Sequence, residues 1–125
     1  MMKKVFLNKA KENLKIARAS FDIECYNACA NRAYYAAFQA AIAALADHGV
    51  QRGKNDHAWV QSEFNRRLIK KQKIYPARLK TYLLNMQQIR NMADYSDENV
   101  SKKAGRAQLS QATEMVEAIE KELSR

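Results

Sequence analysis

Arg90 stands where a charge is least expected. Leu79, Leu83, Met86 and Ala93 recur at helical spacing, and a projection of about 100° per residue puts Arg90 near the middle of their stripe. A guanidinium is rarely left buried and unpaired, because its desolvation costs several kcal/mol. Arg90 therefore needs an anion. The Asp94 carboxylate, one turn on, fits as an ion-pair partner. A phosphate entering a cleft fits as well, since its oxygens match the planar fork of arginine. Asn27 and Asn31 pose a related question. They project onto the inward side of another helix with Tyr34, Phe38 and Leu45, and amides there need partners. If the two helices face each other, Asn31 and Arg90 meet in one polar pocket.

A second group is basic. Arg66, Arg67, Lys70, Lys71, Lys73, Arg78 and Lys80 fall within fifteen positions that hold no acid, while Glu114, Glu117, Glu120 and Glu122 gather at the C-terminus. Such a patch can neutralise several phosphates, and the neighbouring Tyr75 and Tyr82 could stack on unpaired bases. A solvated helix end is the plain alternative. Cys25 and Cys29, four apart, are expected to share a helix face as free thiols in a reducing cytoplasm. With His48 and His57 the only histidines, they lack a nearby second pair of ligands, and neither a metal nor a cofactor is expected.

Five helices are expected to hold these residues. The first runs from about Val5 to Ser20 and turns Ala10, Leu14, Ala17 and Phe21 inward. The second spans about Asp22 to Asp47, with the stripe Tyr34, Phe38, Ala41 and Leu45 and a stop at His48-Gly49. Its small residues (Ala30, Ala33, Ala37, Ala40, Ala41, Ala44) could be core or a dimer seam. The third covers about Asp56 to Lys70, capped by Asn55 or Asp56, with Val60, Phe64 and Leu68 inward. Pro76 opens the fourth, which ends near Asp94. Ser101 caps the fifth, with Ala112, Met115, Val116, Ile119 and Leu123 inward. No helix is read as apolar all round. The expected architecture is therefore all-α, one antiparallel up-and-down bundle over residues 1–125.

Composition agrees. With 3 Gly and 1 Pro in 125 residues, turn chemistry for a β-sandwich is missing. Alanine, the best helix former, supplies 20 residues, ten of them between Ala28 and Ala46. A net charge of +9 argues against an acidic disordered tail and suits a polyanionic partner. Met1 to Leu7 is basic but lacks the apolar run of a signal peptide, and the stretch Ala33 to Ala46 is too short for a bilayer, so a cytoplasmic setting is expected.

Three segments carry a resemblance. Asn31-Arg32-Ala33-Tyr34-Tyr35-Ala36-Ala37-Phe38-Gln39-Ala40-Ala41 resembles the second-helix signature of the HEPN domain family. Asp56-His57-Ala58-Trp59-Val60 with Phe64 resembles its third helix, and Ile89-Arg90-Asn91-Met92-Ala93-Asp94-Tyr95 its fourth-helix Arg motif, in the branch ending Ala-Asp-Tyr. The resemblance runs from about Leu14 to Glu122.

The resemblance implies a helical bundle that often dimerises. It also implies RNA or nucleotide binding, with metal-independent endoribonuclease activity in many toxin–antitoxin, CRISPR-associated and RNA-processing members. Other members work beside a small nucleotidyltransferase. Arg90, Asn91 and Tyr95 take the catalytic positions, with Asn31, Tyr35 and Asp94 in support, and a homodimer is expected.

The sequence departs from the family's nuclease pattern. Nucleases of the family carry His four to six residues after the Arg, and here Tyr95 stands five after Arg90, with no His beyond Lys70. Histidine titrates near neutrality and suits proton transfer, whereas a tyrosine with a pKa near 10 is a poor base at pH 7. His57, near a helix start, is another source of imidazole. The alternative expectation is a non-catalytic adaptor for a nucleotidyltransferase or antitoxin partner, with Arg90 and Asp94 a structural pair and Tyr95 a modification site.

Overall fold

The computed structural model of the chain describes residues 2–52 and 54–125. Helix α1 is Met2–Asp22, α2 is Tyr26–Asp47, α3 is His57–Glu63 with a π-helical continuation Phe64–Lys71, α4 is Arg78–Tyr95 and α5 is Lys102–Leu123. Side-chain bonds fix their directions. Lys3 reaches Asp47 and Asn13 reaches Gln39, so α1 and α2 run antiparallel. Tyr35 meets Arg90 and Asn31 meets Asp94, so α2 and α4 do too. Lys11–Glu120 and Arg18–Thr113 set α5 against α1 in the same sense. The four long helices therefore alternate up and down, and α3 lies in the connection between α2 and α4.

Helix α2 is the axis of the bundle. It buries Cys29, Ala30, Ala33, Tyr34, Ala36, Ala37, Phe38 and every residue from Ala40 to Leu45, so it is covered on nearly all sides, contrary to the one-stripe expectation. The small residues are core and not a dimer seam, because α1, α4 and α5 approach them within the chain. Alanine permits that approach and Tyr34 and Leu45 fill the gaps, each contributing about 2 kcal/mol by burial.

Several boundaries differ from the sequence reading. Helix α1 runs on to Asp22, and the chain turns through Glu24, whose φ of +63° is left-handed without glycine to signal it. Cys25 is consequently the exposed N-cap of α2 while Cys29 is buried, so the two thiols do not share a buried face. Pro76 precedes α4, its carbonyl accepting from Leu79 N–H, and Ala77 is the N-cap. Helix α4 also includes Tyr95. The caps at Asp56 and Ser101 are as expected, each side chain accepting from the backbone N–H three residues on, Trp59 and Ala104.

The π segment was expected to be ordinary α-helix. Its wider turn brings the adjacent Leu68 and Ile69, with Phe64, into the core; it ends at Lys71, and Lys73 just beyond has φ of +54°. No helix among the described residues is long and apolar enough to cross a membrane.

Candidate functional site

Helices α2 and α4 cross where Tyr34 and Tyr35 face Arg90. The Arg90 side chain is only 11 % exposed. Its guanidinium carbon lies 5.3 Å from the Tyr34 ring centre and 5.5 Å from that of Tyr35. Nη1 donates to the Tyr35 hydroxyl at 3.1 Å, and Nε is buried with no partner. Asp94 is near but does not seal the group. Its Oδ2 sits 3.7 Å from Nη1, too long for a hydrogen bond, and instead accepts from Asn31 Nδ2 at 2.9 Å. Arg90 is thus neither splayed into water nor locked in a carboxylate pair. Aromatic faces hold it through cation–π attraction, about 0.5–2 kcal/mol per contact.

The other residues named from the sequence separate here. Asn31 and Arg90 do not bond, but both address Asp94. Asn31 also accepts from Arg32 Nε at 2.8 Å. Arg32 stands 5.3 Å from the Tyr35 ring, so two guanidinium groups approach Tyr35. The sequence reading missed Arg32 as part of this cluster, although it adjoins Asn31 in the second-helix motif. Asn91 is exposed at the edge, and Tyr95 is 78 % exposed with its ring 6.0 Å from the Arg90 guanidinium carbon. Asn27 belongs elsewhere. It bonds Asn99 and accepts from Val100 N–H, fixing the approach to α5.

Helix α3 adds an imidazole. His57 stacks on Phe38 with ring centres 4.4 Å apart, stacks on Tyr34 at 5.4 Å, and shares a hydrogen bond between Nδ1 and the Tyr34 hydroxyl. Burial, then the nearby Arg90 charge, push its pKa down from 6.5, with Asp56 opposing. Burial pushes the Tyr34 hydroxyl up to about 12.

The matching family decides what kind of domain this is. Its description is HEPN domain, and residues 4–123 are matched. The chain belongs to the HEPN family. A search of curated proteins finds no match to it. Arg90 and Tyr95, the residues that the fourth-helix resemblance singles out, both lie in the cluster just described.

The basic residues form a different place. Arg66, Lys70, Lys73 and Lys80 line one open groove of about 830 Å³, floored by Ile69, Tyr75, Pro76 and Ala77. Three of the seven expected cations stand apart from it. Arg67 pairs with Glu63, which also holds Arg66. Arg78 pairs with Glu114, and Lys71 is exposed outside the groove lining. Tyr75 is not free to stack on a base, and Tyr82 is half-buried. Tyr75 is 4 % exposed and packs on Phe64, while Tyr82 donates to Glu114 at 2.8 Å. That bond, and then Arg78, hold the Glu114 carboxyl below the usual range. Among the described residues, no group of three His, Cys, Asp or Glu side chains converges as a metal site would require.

Proposed function

We propose that this HEPN chain binds RNA at the Arg90 cluster, with a nucleotide phosphate as the minimal ligand. The observation that carries the reading is a guanidinium 11 % exposed, held by aromatic rings, and lacking a hydrogen-bonded carboxylate. Arg32 adds positive charge beside it and Asn91 a polar edge. Lys80 lies ten residues before Arg90 on α4, about 15 Å along the axis, so an RNA several nucleotides long can engage Arg66, Lys70, Lys73 and Lys80 as well. A homodimer in the cytoplasm completes the reading. It is supported by Leu84 and Tyr95, exposed apolar groups three turns apart on α4.

The test is binding of a fluorescent single-stranded RNA, followed by anisotropy. Arg90→Ala should weaken affinity at least about tenfold, the effect of losing roughly 1.4 kcal/mol, with circular dichroism at the binding temperature still showing the folded helical bundle, although melting falls with the lost Tyr35 bond and ring contacts. Affinity within twofold of wild type would end the reading.

A second reading is favoured by the exposure of Tyr95. Here the domain serves a nucleotidyltransferase or antitoxin partner, and the Tyr95 hydroxyl accepts a nucleotidyl group beside Arg90. A nucleotidyltransferase reading frame next to this one in the genome would point to it. Metal-independent cleavage of bound RNA, as in toxin–antitoxin or defence ribonucleases, is the finer form of the first reading and needs a group that moves protons.

A further inference from the structure

Two nitrogen-bearing side chains from different helices meet around one tyrosine pair. Arg90 comes from α4 and lies over Tyr34 and Tyr35. His57 comes from the start of α3, stacked against Tyr34 and edge-on to Tyr35 at 6.1 Å. Its Nδ1 is engaged by the Tyr34 hydroxyl. Its Nε2 makes no hydrogen bond among the described residues and is not fully buried. When Nδ1–H donates to the Tyr34 oxygen, Nε2 presents a lone pair, and the packed rings fix where it points. Phe38 beneath the imidazole removes its freedom to swing.

We propose that His57 is the proton-transfer residue of the Arg90 site, supplied from α3 in the absence of a histidine after Arg90. The proposal rests on the reading that RNA binds at Arg90. The 2′-oxygen of the bound RNA bonds to the adjacent phosphorus as its proton passes to His57 Nε2. The P–O5′ bond breaks, its electron pair leaves on the 5′-oxygen, and that oxygen takes the proton back from the imidazolium, directly or through water. The products are a 2′,3′-cyclic phosphate and a 5′-hydroxyl, and nothing else is consumed. Arg90 stabilises the charge gathering on the phosphoryl oxygens, and Tyr34 is a positioning residue that acts through Nδ1. The charged and titratable groups around His57 are Arg90 of α4, Tyr34 and Tyr35 of α2 and Asp56 beside it. Burial and Arg90 favour neutral imidazole, so its lone pair is available at pH 7.

The experiment incubates the full chain with mixed-sequence RNA oligonucleotides in excess EDTA and scores cleavage and binding separately. Wild type should leave cyclic-phosphate ends and spare a 2′-deoxy copy. His57→Gln should slow cleavage by about 100-fold or more and change affinity less than threefold, and added imidazole should restore part of the rate in His57→Ala. Should both variants unfold, the wild-type pH profile decides. An acidic limb below pH 6.5 supports the role, and a rate rising with hydroxide throughout overturns it. Cleavage by His57→Gln at the wild-type rate overturns it too. Arg90-dependent binding without any cleavage overturns the proposal and leaves the binding reading intact, whereas loss of Arg90-dependent binding removes both.

Discussion

The two cationic regions of this chain share α4 but are built on different physics. At the C-terminal half, Arg90 lies among Tyr34, Tyr35 and Tyr95, with one hydrogen bond and little exposure. Around its start, Lys80 of α4 and Lys70 and Lys73 of the preceding segment are exposed over an apolar floor, with Arg66 beside them partly tied to Glu63. The first region has spent its desolvation and ordering cost during folding, so under the proposed reading a phosphate would meet a preorganised fork. The second keeps hydrated, mobile charges that attract polyanions over about a Debye length and lose force as salt rises. On that reading, position in the core, more than the number of charges, separates a site from a steering patch.

The largest expected difference follows from that contrast. Arg90→Lys keeps the charge and removes the planar fork, and should weaken mononucleotide binding about tenfold, roughly 1.4 kcal/mol. The triple variant Lys70→Gln, Lys73→Gln, Lys80→Gln should leave mononucleotide affinity within twofold. On a longer RNA it should flatten the slope of log affinity against log salt by about 2, near 0.7 for each phosphate that a lysine no longer neutralises. Titrations by anisotropy across a salt series measure both. Equal weakening of mononucleotide binding by the two variants would abolish the distinction.

Much of this contrast was legible in the sequence for a definite reason. Helical periodicity fixes which way a residue faces, so Arg90 among Leu79, Leu83 and Met86 declared its burial directly. The all-helical bundle was legible on the same grounds. Other features depend on where helices land in space. His57 reads as an ordinary first-turn residue until α3 is laid against α2. The left-handed Glu24 and Lys73 carry no glycine to announce them, so the start of α2 and the π segment escaped. Tyr75 reads as an aromatic in a basic loop, yet it closes over Phe64. The groove's membership was half legible, because Glu63 and Glu114, which neutralise Arg67 and Arg78, lie outside the basic run.

A tyrosine hydroxyl tests each region at smaller scale. Tyr35→Phe removes the one hydrogen bond Arg90 makes, and should lower stability by about 1 kcal/mol in urea unfolding. An unchanged midpoint would mean that the rings alone hold the guanidinium, and the first region would then be defined by packing and not by a polar contact.

Tyr75→Phe makes the same chemical change with the opposite expected sign. The Tyr75 hydroxyl is buried at the groove floor with no partner, and burial pushes its pKa well above the ordinary 10. Deleting it removes an unsatisfied polar atom and leaves the Phe64 stacking in place. Stability should therefore stay level or rise by up to about 1 kcal/mol. The comparison with Tyr35→Phe isolates partnership, since ring size and position are conserved in both. A drop of about 1 kcal/mol or more on Tyr75→Phe would show that the hydroxyl has a partner in the groove. The floor would then be a recognition surface, and the steering patch would have to be counted as a second site.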